Sequence, residues 1–222
     1  GDYSLIVLAP SSVQELYELV VEAFNLADLY RTPVVVMGDG YMGQMMEPVE
    51  FREEEPIVKV DKSWAACGSG MKREHNYITS IYIDPDELEA HNNKLQAKYR
   101  EIEKNHTKAE VFNCDGADVI VTAYGTVARV VKNVIKEAAK EGIHVGLIRP
   151  ITLWPFPSAA YAKYAETPKG FLCVEMSTGQ MLEDVRLALN GKNTVDFYGR
   201  TGGHVPSQDA ILEKVRKIAS GN

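Results

Sequence analysis

Cysteine is scarce in this chain of 222 residues, and what there is does not cluster: Cys67, Cys114 and Cys173 stand far apart with no CxxC pair. That spacing argues against an iron–sulfur or zinc site held by this chain, and isolated cysteines in odd number suit a reducing cytoplasm. Long apolar runs are absent too. No stretch approaches the ~18 consecutive apolar residues of a membrane span, and no basic, apolar and small-residue leader opens the chain, so a soluble cytoplasmic protein off the membrane is expected. Neither GxGxxG nor GK[ST] occurs at phosphate-loop spacing, and neither His91 nor His106 has a second histidine or cysteine three or four residues away. Basic charge is missing from one end: residues 1–50 hold eight acids and a single base, whereas residues 51–222 hold 23 of each, which leaves a net charge of −7. An acidic chain without basic and aromatic interleaving has little for a phosphodiester backbone to bind, so no nucleic-acid partner is expected.

What is present is apolar patterning, at 45% of residues, enough for one good core or two small ones. The most informative stretch is ADVIVTAYGTVARVVKNVIKEAAKEGIHVGLIRPITLWPFP, residues 117–157. Val119 to Ala123 is a short apolar run of the kind a covered parallel sheet requires, and Gly125-Thr126 breaks it. With Thr126 as N-cap, Val127, Val130, Val131, Val134, Ile135 and Ala138 recur at helical spacing, and Gly142 is placed to end that helix. Ile143 to Ile148 reads as the next strand, which completes a βαβ unit and sets the class as α/β. Arg149-Pro150 and Trp154-Pro155-Phe156-Pro157 then force an extended path. Beyond it, helix (158–166), strand (170–175), helix (179–189), strand (194–198) and helix (207–219) alternate, giving an open, mostly parallel sheet.

Upstream, Ser4 to Leu8 reads as a strand with almost no lead-in, which suggests a fragment. Ser12 with Glu15 makes a capping box for a helix to about Tyr30 that is apolar on most of its circumference. Leu16, Val20 and Phe24 should then be covered by an interdomain or intermolecular contact, and self-association is expected. Pro33 opens VVVMGDG, and Gly38-Asp39-Gly40 lies at a strand end, where open α/β sheets place ligands; a plain tight turn is the competing reading. Residues 51–85 read as a linker in which Gly68, Gly70, Lys72, Arg73 and His75 could cradle an anion or merely connect, and His75-Asn76 could line a cleft. Asp84-Pro85-Asp86-Glu87 starts a long helix with Leu88, Leu95, Tyr99, Ile102 and Ala109 on one face, through about Glu110. Glu175, beside Ser177, Thr178 and Gly179, could meet a ligand or cap a helix. Gly125-Thr126, opening a helix, is a candidate anion site.

The runs AYGT, GIHVGLIRPITLWPFP, FLCVEMSTGQMLEDV and GRTGG, in that order, resemble the second domain of the α subunit of 2-oxoacid:ferredoxin oxidoreductases, with the branched-chain (2-oxoisovalerate) subgroup fitting best. APSSVQELYELVVEAFNLADLYRTPVVVMGDGYMGQMMEPV resembles the end of that subunit's first domain. The resemblance implies the end of a pyrimidine-type, thiamine-diphosphate-binding domain over residues 1–50, a linker over 51–85, and a transketolase C-terminal-like domain over 86–222 with a long leading helix. It also implies a complex that oxidatively decarboxylates a branched 2-oxoacid to its acyl-CoA and passes electrons to ferredoxin. Thiamine diphosphate and magnesium would serve the whole complex, and partner subunits would carry the iron–sulfur clusters. The family's acid that protonates the thiamine aminopyrimidine lies in a part of the first domain absent here, so this chain should be mainly structural and subunit-contacting, inactive alone, and without bound cofactor. The alternative is a non-catalytic nucleotide- or small-anion-binding α/β module.

Overall fold

The structure, a computed structural model, describes residues 3–52 and 58–221. The acidic part of the expected linker, residues 53–57, lies outside the described residues.

The chain begins with β1 (Ile6–Leu8), α1 (Val13–Tyr30) and β2 (Val34–Val36). Ser12 caps α1 by accepting from the Glu15 N–H at 3.1 Å, which satisfies one of the donors a helix start leaves free. After a long connection come α2 (Pro85–His106), β3 (Ala109–Phe112), β4 (Val119–Thr122), α3 (Gly125–Lys140), β5 (Val145–Pro150) and β6 (Thr152–Trp154). The chain closes with α4 (Ser158–Tyr164), β7 (Gly170–Glu175), α5 (Gln180–Leu189), β8 (Val195–Gly199) and α6 (Gln208–Ser220).

Two sheets result. The larger has the order β3-β5-β4-β7-β8, with β4, β5, β7 and β8 parallel and β3 antiparallel on one edge. Strands β4, β5 and β7 are buried along their whole length, as near-continuous apolar strands covered on both faces must be. On one face α3 and α6 pack Val127, Val131, Val134, Ile211 and Val215 against Val119, Val121 and Leu147. On the other, α4 and α5 pack Tyr161, Met181 and Val185 against Ile120, Ile148 and Phe171. The smaller sheet has the order β2-β1-β6, with β1 parallel to β2 and antiparallel to β6.

Three expectations need correction. The helix after Pro85 ends at His106, not near Glu110, and Ala109 and Glu110 lie in β3. The chain leaves the helix at Thr107 because the Lys108 carbonyl accepts from the N–H groups of Ile151 and Thr152, and β3 then pairs with β5. Thr126 is not the N-cap of α3; that position is Tyr124, whose side chain makes no capping bond. The apolar face of α1 is also narrower than periodicity suggested, with Leu19, Ala23, Leu26 and Tyr30 buried, Val20 40% exposed and Phe24 72% exposed. Phe24 is thus left largely open among the described residues.

Elements on either side of residues 51–85 share one core. Tyr99 and Ile102 of α2 pack with Ile6, Leu8, Leu19 and Leu26, joined by Ile151 and Trp154. Polar contacts continue this seam. Arg149 of β5 is 5% exposed and donates to both carboxylate oxygens of Glu15 in α1, at 2.9 and 3.0 Å, and to Glu110 of β3 at 2.7 Å. Glu47 accepts from the Val13 N–H at the start of α1 and pairs with Arg129 of α3. Among the described residues no helix is long and apolar enough to cross a membrane.

Candidate functional site

The carboxyl ends of β2, β4 and β7 converge, which is where open α/β sheets leave a crevice. Gly38-Asp39-Gly40 follows β2, Tyr124-Gly125-Thr126 follows β4, and Glu175-Met176 ends β7. A small cavity of ≈ 140 Å³ lies among them and adjoins a cleft of ≈ 490 Å³ that reaches Tyr41, Gln44, Arg200 and His204. The two share Asp39 and Met176.

The two glycine motifs singled out in the sequence meet here. Asp39 accepts from the Thr126 N–H at 3.0 Å and from the Thr126 hydroxyl at 2.9 Å, so its carboxylate sits on the first turn of α3. The same side chain accepts from the Met42 N–H at 2.9 Å, which fixes the turn after Gly40. A carboxylate suits that place because the free N–H groups of a helix start favour negative charge. Gly125 makes the approach possible. Its φ is +60°, and a Cβ there would stand 3.0 Å from Asp39 Oδ2. Gly38 and Gly40 carry no such constraint, since both lack the left-handed φ and a Cβ would meet nothing closer than 4.0 Å.

Glu175 is 1% exposed and fully engaged. It accepts from Ser177 Oγ at 2.6 Å, from the N–H groups of Met181 and Leu182 at 3.1 and 3.0 Å, and from Cys173 Sγ at 3.2 Å. Its carboxylate therefore caps α5 beside the small cavity. Burial pushes the Cys173 thiol well up, with the Glu175 charge adding to it, so this cysteine is not a ready nucleophile. The Cys114 thiol is likewise pushed up, to about 11, by burial. Burial also raises the phenol of Tyr124, and the charges of Glu175, Cys173 and Asp39 act in the same direction.

The far wall of the cleft is the turn after β8. Gly199 has no room for a side chain, because a Cβ would lie 2.4 Å from the Ser177 carbonyl oxygen. The Arg200 N–H donates to the Glu175 carbonyl at 3.1 Å, and Tyr41 OH donates to the Gly203 carbonyl at 3.0 Å, so this turn is tied to both β7 and the Asp39 turn. Sequence reasoning missed Tyr41, Arg200 and His204: Arg200 lies in the GRTGG run, His204 directly after it, and Tyr41 directly after Gly40. The acids near the cleft are spent on capping, and the side chains of Arg200, a cation, and His204 line its outer part. Such a lining suits recognition of a negatively charged group better than proton transfer.

The remaining sequence candidates lie elsewhere. Gly68, Gly70, Lys72, Arg73 and His75 occupy an exposed loop, where Arg73 donates to the carbonyls of Glu74 and Ala65. His91 stacks on Tyr82, and His106 meets Tyr30 OH at 2.8 Å. Among the described residues no three His, Cys, Asp or Glu side chains converge as a metal site.

Comparison with known proteins matches this geometry to one group. Residues 1–111 match the family described as "Pyruvate flavodoxin/ferredoxin oxidoreductase, thiamine diP-bdg", and residues 117–211 match "Pyruvate:ferredoxin oxidoreductase core domain II". The chain is 47% identical over 219 residues to the ketoisovalerate oxidoreductase subunit VorB of Methanothermobacter thermautotrophicus, covering 99% of this chain and 62% of that protein. It is 32% identical over 240 residues to the 2-oxoglutarate synthase subunit KorA of Methanothermobacter marburgensis, covering 97% of this chain and 64% of that one. Its fold is that of the 2-oxoglutarate:ferredoxin oxidoreductase from Magnetococcus marinus, with a TM-score of 0.75 at 22% identity over 99% of this chain and 43% of the other. A split-gene transketolase is similar in fold at a TM-score of 0.56 and 14% identity, covering 97% of this chain and 57% of that one. The chain thus spans about 62% of the length of its VorB relative. On these matches, the chain belongs to the pyruvate flavodoxin/ferredoxin oxidoreductase family, whose thiamine-diphosphate-binding domain its first half matches.

Proposed function

We propose that this chain is part of the α-type subunit of a 2-oxoacid:ferredoxin oxidoreductase acting on 2-oxoisovalerate. In the assembled complex the reaction would be oxidative decarboxylation to the acyl-CoA, with ferredoxin as electron acceptor. The observation that carries this reading is the 47% identity to a ketoisovalerate oxidoreductase subunit, which runs through both sheets and the seam between them. Supporting it, three of the motifs, AYGT, FLCVEMSTGQMLEDV and GRTGG, contribute residues to the walls around Asp39.

The family description names thiamine diphosphate, and magnesium would accompany it. On this reading the described residues would not by themselves form a holder for that pair. No metal-ligating cluster of three occurs among them, and Asp39 is taken up by Thr126 and Met42. The cofactor would therefore be held chiefly by other parts of the complex, with iron–sulfur clusters on partner subunits and a cytoplasmic location. No chemical step is assigned to side chains of this chain. Its own role would be architectural: Gly38, Asp39 and Gly40, locked to Gly125 and Thr126, position the cleft wall. Residues 1–50 and 86–222 would act as two packing units joined through 51–85, with α2 and β6 docking the second on the first. The rival reading, a small-anion module opening at Gly125-Thr126, is disfavoured because the Asp39 carboxylate already occupies that helix start.

Two measurements test the proposal. Reconstituted with its partner subunits, the complex should reduce ferredoxin with 2-oxoisovalerate and CoA in preference to 2-oxoglutarate or pyruvate; the reverse preference would refute the substrate assignment. Isothermal titration of the chain alone with thiamine diphosphate and magnesium should give no micromolar binding, and tight binding would move the cofactor site onto this chain.

A further inference from the structure

The acidic end of the chain holds a single basic residue among its first fifty, Arg31, and that residue faces a cavity shared with the basic side chains of α2. The cavity, ≈ 350 Å³, lies between the end of α1, the middle of α2 and the extended segment 77–82. Its walls include Arg31, Lys94 and Lys98 together with Tyr77, Ile78 and Tyr82. It shares no lining residue with the cleft around Asp39.

Three cations converge there, with no counter-charge paired to them among the described residues. Among the described residues no carboxylate forms an ion pair with Arg31, Lys94 or Lys98; the nearby Asp28 is paired with Lys62 at 2.6 Å. Lys98 is half-buried and donates to the Tyr30 carbonyl at 3.2 Å. Burial lowers its ammonium, and the charges of Arg31 and Lys94 lower it further, which reports like charges crowded together. Arg31 is held in place by stacking over Trp64 at 3.9 Å, and Tyr82 by stacking on His91 at 4.5 Å. The aromatic groups thus orient the walls, while the exposed ring of Tyr77 (89%) and Ile78 (60%) are left unsatisfied at the mouth.

Like charges held together at a cost in an otherwise acidic protein call for an anion that offsets them. A phosphate group matches three converging donors, because its oxygens accept several charge-assisted hydrogen bonds at once. A planar or apolar portion would cover Tyr77 and Ile78. We propose that this cavity binds an organic phosphate, the phosphate on Arg31, Lys94 and Lys98 and the ring portion against Tyr77 and Ile78. The site is independent of the oxidoreductase reading and stands or falls separately from it.

Isothermal titration of the chain with ADP, and in parallel with inorganic pyrophosphate, tests it. ADP should bind saturably, more tightly than pyrophosphate, and more weakly as salt rises. Lys98→Met and Lys94→Gln should each weaken ADP by about ten-fold or more, the scale of a lost charged hydrogen bond. Lys136→Gln, an exposed lysine on α3, should leave it unchanged. Tyr77→Ser should bring ADP down to the affinity of pyrophosphate. Lys98 also supports the Tyr30 carbonyl, so melting curves accompany each variant, and exposed Lys94 decides the matter if Lys98→Met unfolds. Absence of saturable binding at millimolar ADP, affinity unaltered in Lys94→Gln, or equal affinity for ADP and pyrophosphate would overturn the proposal; so would silence toward ADP with binding of an acidic peptide.

Discussion

At the scale of single residues, the contact between Asp39 and Thr126 explains why a glycine precedes the helix. Gly125 answers two demands at once, a left-handed φ of +60° and clearance for a carboxylate. Alanine at this position meets both obstacles. A left-handed backbone costs an L-residue about 1–2 kcal/mol, and displacing the capping carboxylate adds about 1 kcal/mol. Gly125→Ala should therefore lower stability by about 2–3 kcal/mol in urea unfolding, and Asp39→Ala by about 1 kcal/mol. The double variant should lose less than the sum, because alanine at 125 no longer collides once the carboxylate is gone. Strict additivity would show that the two residues do not act through each other. Asp39 could be read in the sequence as the centre of a turn, and Thr126 as a helix start. That one caps the other could not, since 87 residues separate them.

Among the elements, α1 presents three different faces. Leu19, Ala23, Leu26 and Tyr30 enter the core. Gln14, Glu18, Asn25 and Asp28 form a second face that binds the following connection through the Glu50 N–H, Arg52, the Val58 N–H and Lys62. Val20 and Phe24, one turn apart on the third face, are exposed among the described residues, Phe24 the more so. Burying Phe24 would be worth about 1.5–3 kcal/mol, so self-association through this face is the expected behaviour of the chain by itself. Sedimentation should show a concentration-dependent oligomer for wild type and a monomer for Phe24→Glu. A wild-type chain monomeric at every concentration would remove the reason to treat this face as an interface. The apolar richness of α1 was legible from its sequence. Which residues it hides was not, because a polar connection rather than an apolar layer covers its second face.

For the whole molecule, the decisive feature is the polar seam, and Arg149 is its centre. Replacing it leaves Glu15 and Glu110 half-buried without their guanidinium, although Ser11 and Lys132 still reach them. Removal of one partner from a buried ion pair costs about 3–5 kcal/mol, and the partial hydration here places Arg149→Met near the lower figure, about 3 kcal/mol. Burial alone would raise the Glu110 carboxyl, but the hydrogen bonds from Lys132 and Arg149 and their charges outweigh it and hold it below the usual carboxylate range. A depressed folded-state value means that the charged form supplies stability above the unfolded carboxyl range near pH ~4.3, and that this stability is lost as pH falls through the folded value. Wild type should therefore lose stability progressively on acidification below about pH 4. Arg149→Met should be less stable at neutral pH with a shallower acid decline, measured by urea midpoints from neutral pH downward; parallel curves for both proteins would exclude this role for Glu110.

By itself the sequence determined the α/β class, the alternation of strands and helices beyond Val119, the helix starting at Pro85 and the family. Each rests on short-range signals: buried apolar runs of four to six residues, helical periodicity, proline and glycine at turns, and motifs repeated in order. Tertiary structure alone decided that residues 109–112 leave the helix to become a strand, that β6 joins the sheet of the first half, and that Asp39 caps α3. Edge strands of three or four residues carry too little local preference to declare themselves, so pairing with a distant partner decides them. Arg149 gives the same lesson, because an arginine in an apolar strand reads as a surface residue until Glu15, 134 positions away, is placed beside it. Charge can enter a core only where its partner is already there, and that is a property of the folded chain.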